Sequence, residues 1–139
     1  MACTLVAAPS IADDEGIVNN VRVLIVDDQE PFRSAARMVV EMADGFEVVG
    51  EAESGEEGVD LAAELGPDLV LMDVYLPGID GLEATRQITG AVNSPRVLVM
   101  STHESEEFAE AALAAGAIAF VPKSQFGMDE LEAAWGQAP

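Results

Sequence analysis

Four apolar runs of this sequence end in side chains that could act together on a phosphoryl group. Asp27 and Asp28 follow the first run, Asp73 follows the second and Ser101 the third, and Lys123 stands one proline after the fourth. Lys123 is the only lysine in a chain with 26 acidic residues, so its ammonium is a candidate for holding an anion. Clustered carboxylates bind hard cations, and a cation together with an ammonium stabilises a transferring phosphoryl group. These residue types therefore predict a metal-assisted phosphoryl site.

Each of these residues also has an ordinary structural interpretation. The two adjacent aspartates could be turn residues before a helix. Ser101 could make a local turn, and Lys123 could lay its stem on the sheet edge with its ammonium in water. Four separate strand ends would then have to present complementary polar groups by chance, which favours the functional interpretation.

Strand-like and helix-like segments alternate five times along the chain. The strand-like runs are rich in Val, Ile, Leu and Phe and mostly lack polar alternation, as buried parallel strands do; they lie at about 21–27, 46–52, 67–73, 95–101 and 117–121. This alternation predicts an α/β fold, a doubly wound parallel sheet of five strands covered by helices on both sides. Because the carboxyl ends of parallel strands share one edge, the polar groups above are expected to meet there.

The segments between the strands have helical periodicity. After Pro31, which suits a first helical turn, apolar residues form one stripe: Phe32, Ala35, Ala36, Val39, Val40 and Ala43. Ser54 and Asp80 each stand three residues before a glutamate, in the pattern of a capping box at the start of a helix. Helix starts are therefore predicted near both positions.

Composition bounds the remaining possibilities. A chain of 139 residues, half of them hydrophobic, can bury one core but has no room for a second domain. Its formal net charge of −20 repels phosphate backbones, so we expect no direct nucleic-acid binding. The single cysteine, Cys3, fits a reducing cytoplasm. Residues 1–20 lack the pattern of a signal peptide and are expected to be a flexible tail, and we expect no membrane insertion.

The chain resembles the response-regulator receiver domains of two-component signalling. The resemblance is carried by Asp27 and Asp28 after the first strand, by the run from Asp73 through Leu76-Pro77-Gly78 to Gly81, by Ser101-Thr102, and by the run from Gly116 to Lys123. It covers roughly residues 21–135. It implies the flavodoxin-like strand order 2-1-3-4-5 and leaves residues 136–139 as a C-terminal end with no output domain following.

The same resemblance implies a role for each site residue. Asp73 is expected to be the phosphoacceptor and to share a Mg²⁺ (or Mn²⁺) ion with Asp28, with Asp27 acting through water and the carbonyl of Tyr75 completing the protein ligands. Lys123 and Ser101 are expected to contact the phosphate. Ser101 also fits the family's switch hydroxyl.

Three further positions follow from the resemblance. Phe120 matches the aromatic switch position, although a core phenylalanine is a compatible explanation. Tyr75 and His103 lie where the family tunes the lifetime of the phosphate. An exposed residue at the start of a helix is an equally good interpretation of His103.

The implied partners are a sensor histidine kinase or phosphotransfer protein and a downstream protein target. The target surface is expected to be the face of the fourth helix, fifth strand and fifth helix, which carries the acidic residues Glu104, Glu106, Glu107 and Glu110. The chain is expected to be a monomer or a weak phosphorylation-dependent dimer. It is expected to be a signalling phosphoacceptor that promotes its own phosphorylation and dephosphorylation, not an enzyme acting on other substrates.

Other function classes fit less well. A phosphatase of the haloacid-dehalogenase type needs a second acid two residues after its nucleophile, where this chain has Tyr75. A flavodoxin-like electron carrier would place a flavin phosphate at the first loop, where Asp27, Asp28 and Glu30 would repel it. A receiver-shaped scaffold that works without phosphorylation remains the alternative.

Overall fold

The computed structural model describes residues 20–102 and 106–136, in which strands and helices alternate along the chain. The strands are β1 (Val21–Val26), β2 (Phe46–Ala52), β3 (Leu69–Asp73), β4 (Arg96–Ser101) and β5 (Ala119–Pro122). The α-helices are α1 (Glu30–Met42), α2 (Gly55–Leu65), α3 (Gly81–Thr89), α4 (Glu106–Ala114) and α5 (Met128–Gly136). A short 3₁₀-helix, Lys123–Gln125, joins β5 to α5.

The strands form one parallel sheet in the order β2-β1-β3-β4-β5. This confirms the predicted doubly wound, flavodoxin-like fold. The strand order reverses between β1 and β3, and ligands of such sheets bind where the order reverses, outside the carboxyl ends of the strands. The fold therefore directs attention to the loops after β1 and β3.

Helices cover both faces of the sheet and create two hydrophobic clusters. Alternate residues of β1 point to opposite faces, as the period of a strand requires: Val23 and Ile25 pack with α1 and α5, and Leu24 and Val26 pack with α2, α3 and α4. Burial on both faces explains why the strands show little polar alternation.

Two sequence expectations are corrected by the structure. Ala35, placed on the apolar stripe of α1, is exposed, and Arg33 is buried instead. Position 33 stands three residues before Ala36 and seven before Val40, so it lies on the buried side of the helix. Two strands also begin two residues later than the apolar runs suggested, β3 at Leu69 and β5 at Ala119, whereas β1 and β2 begin where they were predicted.

Side-chain caps fix where α2 and α3 begin. Ser54 Oγ accepts a hydrogen bond from the Glu57 amide at 3.1 Å, and Asp80 Oδ1 accepts one from the Glu83 amide at 2.8 Å. The Glu57 carboxylate in turn accepts from the amide of Glu53 at 2.8 Å. Both predicted helix starts are thus confirmed, with the return bond of the first cap made one residue earlier than in a capping box.

Within the described ranges, every helix is too short or too polar to cross a membrane. The predicted tail, apart from its last residue, lies outside these ranges.

Candidate functional site

The loop after β1 holds the first aspartate in a fixed position. Asp27 is fully buried, and its amide donates to the carbonyl of Ala52 at 3.0 Å, which continues the ladder between β1 and β2. Its Oδ1 accepts a hydrogen bond from the Gln29 amide at 2.8 Å. Asp28, the next residue, is exposed. The pair therefore combines one rigid, buried carboxylate with one that faces outward.

The second carboxylate belongs to Asp73, the last residue of β3. Asp73 is 4% exposed, and the start of α3 packs directly against its backbone. A Cβ added to Gly81 would lie 1.8 Å from the carbonyl oxygen of Asp73, so only glycine fits there without moving the backbone. This close approach explains the glycine eight residues after the aspartate and fixes the loop between them at both ends.

Lys123 reaches back from the end of β5 to both buried carboxylates. Its Nζ lies 2.6 Å from Asp27 Oδ2 and 3.5 Å from Asp73 Oδ2, and its side chain is 7% exposed. The ammonium also donates to Gln29 Oε1 at 3.4 Å and lies 4.5 Å from the centre of the Phe32 ring. The alternative interpretation, with the ammonium in water, is therefore wrong for this structure.

The carboxylates fit a hard divalent cation. One oxygen each from Asp27, Asp28 and Asp73 lies within 4.8 Å of the others. Asp27 Oδ2 is buried and, within the described part of the chain, has its short ion pair to Lys123 but no directed hydrogen bond. Oxygen ligands with partial solvent access suit Mg²⁺, which keeps several of its waters.

Burial changes the acidity of the central carboxyl. Desolvation, with a further contribution from the charge of Asp27, raises the pKa of Asp73 from 3.8 to about 6, although Lys123 opposes the shift. Close carboxylates repel one another, and a bound cation would offset this repulsion, so the cluster favours cation binding.

The shifted pKa predicts a pH-dependent stability in the metal-free protein. Because the folded pKa lies above the unfolded value, the contribution of Asp73 is fully present below pH 3.8 and is lost as the pH rises through about 6. Above that pH the buried carboxylate is ionised and destabilises the folded state. Asp73→Asn removes this charge, so at pH 7.5 in chelator we expect the free energy of unfolding to rise by about 1–3 kcal/mol. The gain should vanish near pH 4.

Urea unfolding of both proteins at the two pH values measures the effect. Asp60→Asn, on the exposed side of α2, is the matched control and should change stability by less than about 0.5 kcal/mol. An Asp73→Asn variant no more stable than the parent at pH 7.5 would show that the buried charge is not destabilising.

The switch candidates lie on the two strands at one side of the sheet. Ser101 is buried at the end of β4, one residue beyond Met100, which is the register partner of Asp73. Phe120 of β5 pairs with Val99 of β4. It is half-buried and packs against the hydrophobic cluster under α2, α3 and α4. The sheet therefore places Ser101 on the strand next to that of Asp73, and Phe120 on the edge strand beyond it.

Tyr75 lies in the loop after β3 and is 51% exposed. Its ring meets Phe108 of α4 edge to face, with centroids 5.7 Å apart and an angle of 86° between the planes. His103, the other predicted lifetime residue, and Glu104 of the acidic patch lie outside the described residues.

Sequence reasoning missed several residues of the site. Gln29 and Phe32 contact the Lys123 ammonium, and Phe108 contacts Tyr75. Arg33 donates from Nη1 to the carbonyl of Asp27 at 2.8 Å. Its position on the buried side of α1 was the available signal, because a cation there needs a partner.

A family model of the response regulator receiver domain matches residues 23–135. The transcriptional regulatory protein LiaR of Bacillus subtilis is 38% identical over 104 residues, which are 75% of this chain and 49% of LiaR. The chain spans about half the length of LiaR and 31% of the length of a protein-glutamate methylesterase/protein-glutamine glutaminase from Myxococcus xanthus.

Solved structures show the same similarity. A LuxR-family two-component response regulator from Aurantimonas aligns with a TM-score of 0.78 and 36% identity, over 84% of each chain. A chain of the CheX-CheY-BeF₃-Mg²⁺ complex from Borrelia burgdorferi aligns with a TM-score of 0.71 and 26% identity, over 82% of this chain and 85% of that one. By sequence motif, strand order and family match, this chain belongs to the response regulator receiver domains of two-component signalling.

Proposed function

We propose that this receiver domain takes a phosphoryl group onto Asp73 from a phosphohistidine of a sensor kinase or phosphotransfer protein, and that the phosphate switches a protein-binding face. The observation that carries the proposal is the meeting of three carboxylates and one nearly buried ammonium at the carboxyl ends of β1, β3 and β5. The Borrelia complex supports it, since that relative was solved with Mg²⁺ and beryllofluoride.

Asp73 is the nucleophile. A carboxylate oxygen of Asp73 forms a bond to phosphorus, and the bond from phosphorus to the donor's imidazole nitrogen breaks. The electron pair of that bond stays on the nitrogen, and because the other ring nitrogen of the phosphohistidine carries a proton, the donor leaves as neutral histidine. The product is an aspartyl phosphate. Water later attacks its phosphorus, the bond from phosphorus to the Asp73 oxygen breaks, and inorganic phosphate leaves as the carboxylate is restored.

The other side chains hold charge in place. Asp27, Asp28, Asp73 and the carbonyl of Tyr75 would hold a Mg²⁺ or Mn²⁺ ion, which when bound neutralises the carboxylates and the oxygens of the phosphoryl group. The Lys123 ammonium moves from the carboxylates to the phosphate, and the Ser101 hydroxyl donates to it. Hydrogen bonds of this kind are stronger than neutral ones because one partner is ionised.

The phosphate acts by shifting a two-state equilibrium. Ser101 moves toward the phosphate, and the Phe120 ring turns inward behind it, so that packing of a large ring makes the change discrete. Tyr75 and His103 set how easily water reaches the phosphate.

The face of α4, β5 and α5 carries the output. Glu106, Glu107 and Glu110 are exposed on α4, and this acidic surface fits a basic protein surface better than a nucleic acid. LiaR is a transcriptional regulatory protein of which this chain spans about half, so the expectation of no nucleic-acid binding applies to the receiver surface alone. We place the domain in the cytoplasm, as a monomer or a weak phosphorylation-dependent dimer.

Incubation with acetyl phosphate tests the proposal against the scaffold alternative. With Mg²⁺, intact-mass spectrometry should show one added phosphoryl group per chain, and with excess chelator it should show none. A mass that stays unchanged with Mg²⁺ would favour a scaffold that works without phosphorylation.

A further inference from the structure

We propose that Arg33 is a positioning residue for the metal-binding turn, and that it acts by holding the peptide group between Asp27 and Asp28. The inference rests on the proposed function, because it assigns a residue to the alignment of that site. At the turn, Arg33 donates to the carbonyl oxygen of Asp27, so it acts on the site through the backbone.

Arg33 is nearly buried, and its guanidinium contacts three oxygen atoms. Arg33 is 9% exposed, and its Nη1 donates to the carbonyl oxygen of Asp27 at 2.8 Å. Its Nε lies 3.3 Å from Glu51 Oε1 and its Nη2 lies 3.8 Å from Glu53 Oε2. Three nitrogens of one guanidinium are thus directed at three oxygens, and the two glutamates offset a charge that would be costly to bury alone.

The hydrogen bond from Arg33 restrains the peptide group that joins the two acidic residues. A peptide group is planar, so fixing the carbonyl of Asp27 also fixes the amide nitrogen of Asp28. The Asp27 amide is already held by Ala52, and its Oδ1 by Gln29. The Arg33 bond adds the constraint on the Asp28 side, where the carboxylate is exposed and packing holds it least.

Position 33 lies on the side of α1 that packs on the sheet with Ala36 and Val40, where apolar side chains are usual. The presence of a buried arginine there, with two glutamates on the neighbouring chain segment, points to the carbonyl as its purpose. Residues that hydrogen-bond to metal ligands without contacting the metal typically lower the metal affinity by about 10- to 100-fold when they are removed.

Arg37 provides a matched control. It stands one turn later on α1, and its Nη1 pairs with the same Glu51 at 2.5 Å. Its Nη2 donates to the Ser34 hydroxyl at 3.4 Å, within α1. Arg37→Met therefore removes a cation from Glu51 without releasing the Asp27 carbonyl.

Mg²⁺ titration by calorimetry, on variants shown to be folded by circular dichroism, measures the effect. Arg33→Met should weaken the Mg²⁺ affinity by about 10-fold or more, whereas Arg37→Met should stay close to the parent. Arg33→Lys, which keeps the positive charge on one donor nitrogen but loses the planar fork, should lie between. Equal affinities for Arg33→Met and Arg37→Met would overturn the proposal. If Arg33→Met does not fold, Arg33→Lys against Arg37→Lys decides in the same way.

A second readout separates this inference from the proposed function. In the metal-free protein, the amide ¹⁵N resonance of Asp28 should shift in Arg33→Met and not in Arg37→Met, because it reports the hydrogen bond to the carbonyl before it. An unshifted Asp28 resonance in Arg33→Met overturns the positioning role whatever the metal result. A parent protein that binds no Mg²⁺ overturns the proposed function, and the Asp28 resonance then decides whether Arg33 orders the turn.

Discussion

Asp73→Asn is expected to abolish the phosphoryl label that the parent acquires from acetyl phosphate and Mg²⁺. The amide is nearly the same size as the carboxylate but cannot form an acyl phosphate, and removal of a nucleophile typically costs at least about 10³-fold in rate. Asp73 is the carboxylate of the cluster that lies at the end of the central strand β3 and contacts Lys123. Intact-mass spectrometry over a time course measures the loss.

Asp80→Asn is the matched control for this experiment. Asp80 lies in the same loop, is exposed, and caps α3, and asparagine caps a helix as well as aspartate does. The control should label like the parent. Undiminished labelling of Asp73→Asn would mean that another group is the acceptor and would sink the assignment.

Lys123→Met should separate Mg²⁺ binding from the response to phosphorylation. The three carboxylates remain, so Mg²⁺ should still bind, but the phosphate loses the ammonium that links it to β5. Coupling between sites is typically worth about 1–3 kcal/mol, so phosphorylation of the parent should change partner affinity by about 5- to 150-fold. In the variant this factor should fall close to one.

Hydrogen exchange with and without beryllofluoride, a phosphoryl mimic, measures the response in both proteins. In the parent, protection should change on α4, β5 and α5, and in Lys123→Met most of this change should be absent. Arg86→Met, which removes an equal charge from the exposed side of α3, is the control and should respond like the parent. A Lys123→Met response equal to that of the parent would make the lysine a local charge partner alone. Changes confined to α1 and α2 would contradict the proposed output face.

Much of the fold could be predicted because its physical signals are local. Strands buried on both faces lose their polar alternation, as at Leu69–Asp73, and the helices between them carry stripes and caps that can be read from spacing. The carboxyl ends of parallel strands share an edge of the sheet, so the sequence predicts that the polar residues at those ends lie together. The structure places Asp27, Asp28, Asp73 and Lys123 in one cluster at that edge.

The remaining features depend on distances between segments that sequence spacing does not determine. The Arg33 contacts join α1 to the loop after β1 and to β2, and the edge-to-face contact of Tyr75 with Phe108 joins a loop to α4. The raised pKa of Asp73 follows from burial and from the proximity of Asp27, and both are tertiary effects. Ala35 was placed on the buried stripe because alanine is apolar, but its position faces outward, and Arg33 lies on the buried side of α1.

Chemical trapping of the phosphorylated residue tests the central claim most directly. Borohydride reduces an aspartyl phosphate to homoserine, so the protein treated with acetyl phosphate and Mg²⁺ and then reduced should contain homoserine at position 73 in its peptide mass spectrum. Positions 27 and 28 should remain aspartate. Homoserine at either of those positions, or a phosphoryl group found on His103 with Asp73 unmodified, would contradict the assignment of Asp73 as the phosphoacceptor.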